Sequence, residues 1–234
     1  MFEINKVVLL SDTEIDFLNS KKINGFKNFL LKVKEIKKDT LIVGDFFEYY
    51  TGREILHNSY FKEFLSFLKG EGIKIYLIPG NRESLIKNSR KFEENNFYIL
   101  DSYVEIKEHG QTILLTHGDE ILEQKISHFL FKKTLNHIKE KNIEEAVPYP
   151  IKNLIARILR RISRGNSRRE KNSINLNFLL KLYRYDTIII GHYDIPKEIN
   201  INFQNRITRI YILGKWKPSN PVLIFENRFK WIKI

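Results

Sequence analysis

The stretch Leu41-Ile-Val-Gly-Asp-Phe-Phe-Glu-Tyr-Tyr50 is an apolar run that stops at a glycine and is followed by an acid. Leu41 to Val43 read as a buried strand, Gly44 lets the backbone turn sharply, and Asp45 is placed at the strand's carboxyl end. The same order recurs along the chain. Val7-Val-Leu-Leu10 leads to Asp12, Ile75-Tyr-Leu-Ile78 to Gly80-Asn81, Ile113-Leu-Leu115 to His117-Gly-Asp119, and Ile188-Ile-Ile190 to Gly191-His192. In open α/β sheets, ligands bind beyond the carboxyl ends of the strands. Strand ends carrying Asp12, Asp45, Asn81, His117 and His192 therefore point to one site, suited to two metal ions.

With 234 residues, 42% of them hydrophobic and 13% aromatic, the chain can bury a sizeable core as one domain, 1–234. Cysteine is absent. Disulfides and thiolate metal sites are thereby excluded, and any metal must be held by oxygen and imidazole. No apolar run approaches the roughly 18 residues of a spanning helix. The N-terminus runs straight into a strand without the apolar region of a signal peptide, so a cytoplasmic location is expected. A formal charge of +12 calls for an anionic partner: a nucleotide, a nucleic acid or a membrane surface.

Around the strands, apolar spacing predicts a helix over Phe26 to Lys37 and another over Arg53 to Lys69, closed by Gly70-Glu-Gly72. A third helix is expected from about Glu83 to Asn95. Strand–helix alternation predicts a largely parallel sheet covered on both faces. A short strand is expected at Tyr98 to Leu100 and a hairpin around Glu108-His-Gly110. Residues 121 to 185 read as a helical insertion. Between Leu122 and Asn172, 13 Lys and Arg face 5 Asp and Glu, so about +8 of the charge lies there. After His192 the expectation is a meander of strands over Thr208 to Leu213, Val222 to Glu226 and Phe229 to Ile232.

The order Asp12, Asp45, Asn81, His117, His192 resembles the calcineurin-like metallophosphoesterases. Gly44-Asp-Phe-Phe-Glu48, Gly80-Asn-Arg-Glu83, His117-Gly-Asp119, the Ala156-Arg-Ile-Leu-Arg160 segment and Leu213-Gly-Lys-Trp216 are most similar to the UDP-2,3-diacylglucosamine diphosphatases of lipid A biosynthesis. The resemblance implies an α-β-β-α sandwich with the helical insertion as a lid. It also implies two divalent cations, Mn²⁺ by preference, bridged by Asp45. One site would be Asp12, Glu14, Asp45 and Asp194; the other Asp45, Asn81, His117 and His192. Glu14 and Asp194 stand where the family pattern has histidine, so the first site is all oxygen and suits Mg²⁺ or Ca²⁺ as well. Lys215 replaces an acid of the pattern and would help neutralise that site.

The implied activity is hydrolysis of UDP-2,3-diacylglucosamine to UMP and 2,3-diacylglucosamine 1-phosphate, by attack of a metal-bridging hydroxide on phosphorus. Asp45, Asn81, Arg82 and His117 would be catalytic; Arg82, Ser163, Asn166 and Lys171 would contact substrate. Apolar residues of the insertion would receive acyl chains, and its cations would rest peripherally on the inner face of the membrane. Arg82 cannot act as an acid near neutral pH but binds phosphate oxygens in pairs, which suits an anhydride over a simple ester. Two other readings compete. One is a metallophosphoesterase-like binding or regulatory protein that has lost catalysis; the other is a phosphoesterase of nucleic acid or a small nucleotide. Plain readings exist for each ligand (a turn Asp or Asn, a core histidine), and only their convergence favours chemistry. His57 and His109 are expected at the surface, and Trp216 and Trp231 in the core.

Overall fold

The computed structural model describes residues 2–48, 50, 52–83, 86, 90–118, 184–203 and 206–234. The first of two sheets has the order β11 (Arg228–Ile232), β10 (Val222–Glu226), β1 (Val7–Leu10), β2 (Asp39–Val43), β3 (Ile75–Ile78), β4 (Phe97–Ile99). Strands β1 to β4 run parallel, and β10 pairs antiparallel with β1. The second sheet has the order β5 (Tyr103–Glu108), β6 (Gln111–Thr116), β7 (Thr187–Ile190), β9 (Arg206–Ile212), β8 (Lys197–Phe203). Its three inner strands are parallel, and its two edges antiparallel.

Successive residues of a strand point to opposite faces, and here they sort into separate cores. Val8, Leu10 and Ile42 join the helices α1 (Ser20–Glu35) and α2 (Ser59–Glu71) in one cluster. Val7, Leu9, Leu41 and Val43 instead meet Ile113, Leu115, Ile189 and Tyr211 between the two sheets. Leu114, Ile188 and Ile190 turn to the far face of the second sheet. Apolar runs without polar alternation are thus explained by burial on both faces. The mixed α/β fold with two stacked sheets agrees with the expected architecture. The insertion, with Ser163, Asn166 and Lys171, lies outside the described residues, as does Asp119.

The core beside the helices is built largely of phenylalanine. Phe46 and Phe47, directly after Asp45, meet edge-on at 4.7 Å, and Phe46 also packs on Phe26, Phe64 and Phe97. Both are fully buried, and each such ring contributes about 1.5–3 kcal/mol. The loop that carries Asp45 is therefore nailed to the core.

Some boundaries differ from expectation. Helix α1 begins at Ser20, because the Asn19 side chain accepts the Lys22 N–H and caps it. Arg53–His57 is a 3-10 turn, and α2 starts only at Ser59, capped by Asn58. Gly72 ends α2 in the left-handed conformation (φ 66°), as its position suggested. The expected helix over Glu83 to Asn95 is, among the described residues, a 3-10 turn Asn81–Glu83 and the short α3 (Arg90–Glu93). The C-terminal strands are not one meander: β9 belongs to the second sheet, whereas β10 and β11 return to the first. His57 and His109 are exposed, Trp216 is core, and Trp231 packs against the layer between the sheets.

Candidate metal centre

Loops leaving β1 and β2 run side by side. Asp12 N–H donates to Gly44 O (3.1 Å), Glu14 N–H to Asp45 O (3.0 Å) and Ile15 N–H to Phe46 O (2.7 Å). This lattice holds Asp12, Glu14 and Asp45 at φ values of 53°, 44° and 53°, and His192 stands at 64° after β7. Non-glycine residues rarely adopt this left-handed region, and strain of this kind persists where surrounding structure enforces it. Among the described residues, Asp12, Asp45 and His117 each offer a ligand atom within 4.8 Å of the others, all buried.

His117 is fixed from behind. Its Nδ1 lies 3.0 Å from the Val43 carbonyl, which can only accept, so Nδ1 carries a proton. Nε2 then faces the centre, 3.4 Å from Asp45 Oδ1 and 3.1 Å from His192 Nδ1. A backbone partner on the far nitrogen is how metal-binding histidines are oriented. Gly44, Gly80 and Gly191 wall the ring: a Cβ on any of them would collide with it. His192 is tied in by its backbone N–H, which donates to Asp12 Oδ2 at 2.9 Å. The Ser11 hydroxyl lies between that carboxylate and Val43 O. Asn81 faces the two Asp45 oxygens with a terminal amide atom 2.9 and 3.2 Å away. With nitrogen turned inward it donates; with oxygen inward the two residues form a pair of donors to a cation.

The acids are not alike. Burial pushes Asp12 up to about 6, the neighbouring His117 opposes this, and the Asp45 charge adds to it. A cation would relieve that strain. Burial also raises Glu14, but Arg82 and Lys215 outweigh it, so Glu14 lies below the usual carboxylate range. Arg82 is the hub of this side. Its Nε donates to Asp45 Oδ2 (2.9 Å), Nη1 to Glu48 O (3.2 Å) and Nη2 to Glu14 Oε1 (2.5 Å). Lys215 Nζ donates to Glu14 Oε2 and Lys22 Nζ to Glu14 O. Asp194 is exposed and lies outside the ligand cluster; its carbonyl accepts the Lys215 N–H at 3.2 Å.

The family model for calcineurin-like phosphoesterases matches residues 6–195. The chain belongs to that family of hydrolases. Curated relatives of this phosphoesterase include UDP-2,3-diacylglucosamine hydrolases of Haemophilus ducreyi (23% identical, covering 95% of this chain and 97% of the relative) and Ectopseudomonas mendocina (25%, 90% and 90%). A third, from Wigglesworthia glossinidia brevipalpis, is 25% identical over 97% of this chain and 93% of its own. The donor set of carboxylate, amide and imidazole around Asp45 suits the divalent cation the family uses.

One residue of this phosphoesterase's centre escaped the sequence reading. Glu83, almost wholly buried, accepts the N–H groups of Asp45 (3.0 Å), Phe47 (2.8 Å) and Gly80 (3.0 Å). Burial pushes its pKa up to about 8, helped by the Asp45 charge and opposed by the N–H bonds of Phe47 and Gly80. It ties the β2 loop to the β3 loop. Its place in Gly80-Asn-Arg-Glu83 was the available signal.

Proposed function

We propose that this phosphoesterase is a metal-dependent pyrophosphatase that hydrolyses UDP-2,3-diacylglucosamine to UMP and 2,3-diacylglucosamine 1-phosphate. The observation that carries this reading is Arg82, whose guanidinium sits against Asp45 at 2.9 Å and cannot protonate the leaving alkoxide of an ester near neutral pH. A phosphate leaving group departs as a stable anion and needs no proton. Arginine instead pairs with phosphoryl oxygens. The names of the relatives support the same substrate class.

The chemistry a divalent cation supplies at such a site is Lewis-acid activation of water and of the phosphoryl group. Asp45, Asn81, His117 and His192 would hold it, with Asp12 beside them, and Mn²⁺ is the proposed ion. Val43 O keeps His117 in the tautomer that presents Nε2. Glu83 holds the backbone of Asp45, and Arg82 orients the phosphoryl oxygens. Water's oxygen joins phosphorus as the P–O–P bridge breaks, and the bridge oxygen leaves with the departing phosphate. Ser163, Asn166 and Lys171 are proposed to contact substrate, and the basic stretch between Leu122 and Asn172 to rest on anionic lipid at the cytoplasmic face. No helix among the described residues is long and apolar enough to cross a membrane.

Release of UMP from the diacylated nucleotide sugar, with Mn²⁺ or Mg²⁺ and lost in Asp45→Asn, tests the reading. Absence of turnover with every divalent ion tried would overturn it. The ion pairs on Glu14 favour one alternative, a binding protein without catalysis. Substrate bound without UMP release would select it.

A further inference from the structure

We infer that the centre holds one divalent cation per chain, with the Arg82 guanidinium and the Lys215 ammonium fixed where a second would lie. The inference rests on the family reading of the site but departs from the pair of metals that reading implies.

Both oxygens of Glu14 are taken: Oε1 by Arg82 Nη2 at 2.5 Å and Oε2 by Lys215 Nζ. Arg82 Nε also binds Asp45 Oδ2, the oxygen on the side away from His117, whose Nε2 is nearest Oδ1. Lys22 completes the group, 3.5 Å from Glu48 Oε2, while Arg82 Nη1 lies 3.9 Å from Glu48 Oε1. The carboxylates of Glu14, Asp45 and Glu48 are all less than a tenth exposed. Buried acids of this kind need compensating charge. Arg82 and Lys215 together bring the charge of one divalent ion.

Lys215 is no wandering surface lysine. Its segment forms a bridge with Ser11, and Trp216 N–H donates to Ser11 O at 2.9 Å. The Trp216 ring is wedged edge-on against Phe26 and Phe29 at 5.1 and 5.4 Å. Asn220 donates to Lys215 O at 2.9 Å. The backbone thus delivers the ammonium to Glu14. Of the other acids expected on that side, Asp194 is exposed, and Asp12 lies instead with Asp45 and His117. A second cation would have to displace two hydrogen-bonded cations from Glu14 and one from Asp45. The other side brings ligand atoms of Asp12, Asp45 and His117 within 4.8 Å of one another, with His117 Nε2 nearest Asp45 Oδ1.

The test is the Mn²⁺ stoichiometry of the full chain, by isothermal titration and by electron paramagnetic resonance. We expect one ion per chain and the hyperfine pattern of an isolated ion. Two ions with exchange coupling would overturn the inference while leaving the family reading intact. No ion at all would overturn both. The double variant Glu14→His with Lys215→Asp, checked for fold by circular dichroism, is expected to gain a second ion. A folded double variant that still binds only one would overturn the role given to Lys215. The wild-type stoichiometry decides the matter even where that variant does not fold.

Discussion

Glu83 Oε2 accepts the backbone N–H of Asp45 at 3.0 Å, so a buried acid that faces no ligand sets the position of the central one. Both of its oxygens are in use, and the partners are three amides from two loops. Glu83→Gln keeps the shape but not the acceptors: whichever way the amide turns, its NH₂ meets a backbone N–H. An unsatisfied buried donor costs about 1–3 kcal/mol. Loss of an orienting partner lowers metal affinity by roughly 10–100-fold. Urea unfolding and Mn²⁺ titration of this variant should show both losses.

Glycine positions separate the centre from the scaffold. A Cβ on Gly191 would lie 2.7 Å from His117 Nδ1 and would strike Ser11 Oγ and Val43 O. Gly191→Ala should lower stability by about 1–3 kcal/mol, the usual range for overpacking, and weaken Mn²⁺ binding. Gly25, within α1, meets nothing within 4 Å. Gly25→Ala should raise stability by about 0.5–1 kcal/mol and leave ion binding unchanged. Paired thermal melts with and without Mn²⁺ distinguish the two.

What the sequence disclosed divides along a physical line. The strand ends at Asp12, Asp45, Asn81, His117 and His192 were readable because double burial makes an unbroken apolar run, and before Asp45, Asn81 and His192 a glycine is needed for close approach. Strand β8 was overlooked although Ile199 and Ile201 alternate, because it is an edge strand with an exposed face and its polar residues dilute the pattern. Helix starts at Asn19 and Asn58 turn on a single side-chain hydrogen bond, a signal that resembles any loop asparagine. The pairing of Glu14 with Lys215 spans 201 positions. No local pattern encodes it; only the parallel bridge of Ser11 with Lys215 brings the two together.

Cation binding should also register as stability. Burial pushes Asp12 up to about 6, opposed by His117 and aided by the Asp45 charge, so a cation there relieves a cost of the folded state. A ligand that binds only the folded chain adds about 2.7 kcal/mol at a concentration one hundred times its Kd. For a chain of this size that corresponds to a rise in Tm of roughly 5–10 °C. Mn²⁺ should produce such a rise, a chelator should reverse it, and His117→Ala should show none of it. Differential scanning calorimetry on wild type and variant provides the comparison.

Under the proposed function, Arg82 has the choice of which bond is broken. Its guanidinium contacts Asp45, Glu14 and the Glu48 carbonyl, and it cannot donate a proton to a leaving alkoxide at neutral pH. Arg82→His introduces a group that can, and a positioned acid contributes about 10²–10⁴-fold where the leaving group needs a proton. The same change removes the guanidinium proposed to pair with the phosphoryl oxygens of an anhydride. Hydrolysis of the nucleotide-linked lipid sugar should therefore fall by roughly 10–100-fold, at the scale of a lost charge-assisted hydrogen bond of about 1.5–3 kcal/mol. Hydrolysis of an alkyl phosphodiester should rise relative to it. Measuring kcat/KM for both substrates on wild type and variant gives the ratio; a ratio unchanged by the substitution would remove Arg82 from the choice of leaving group.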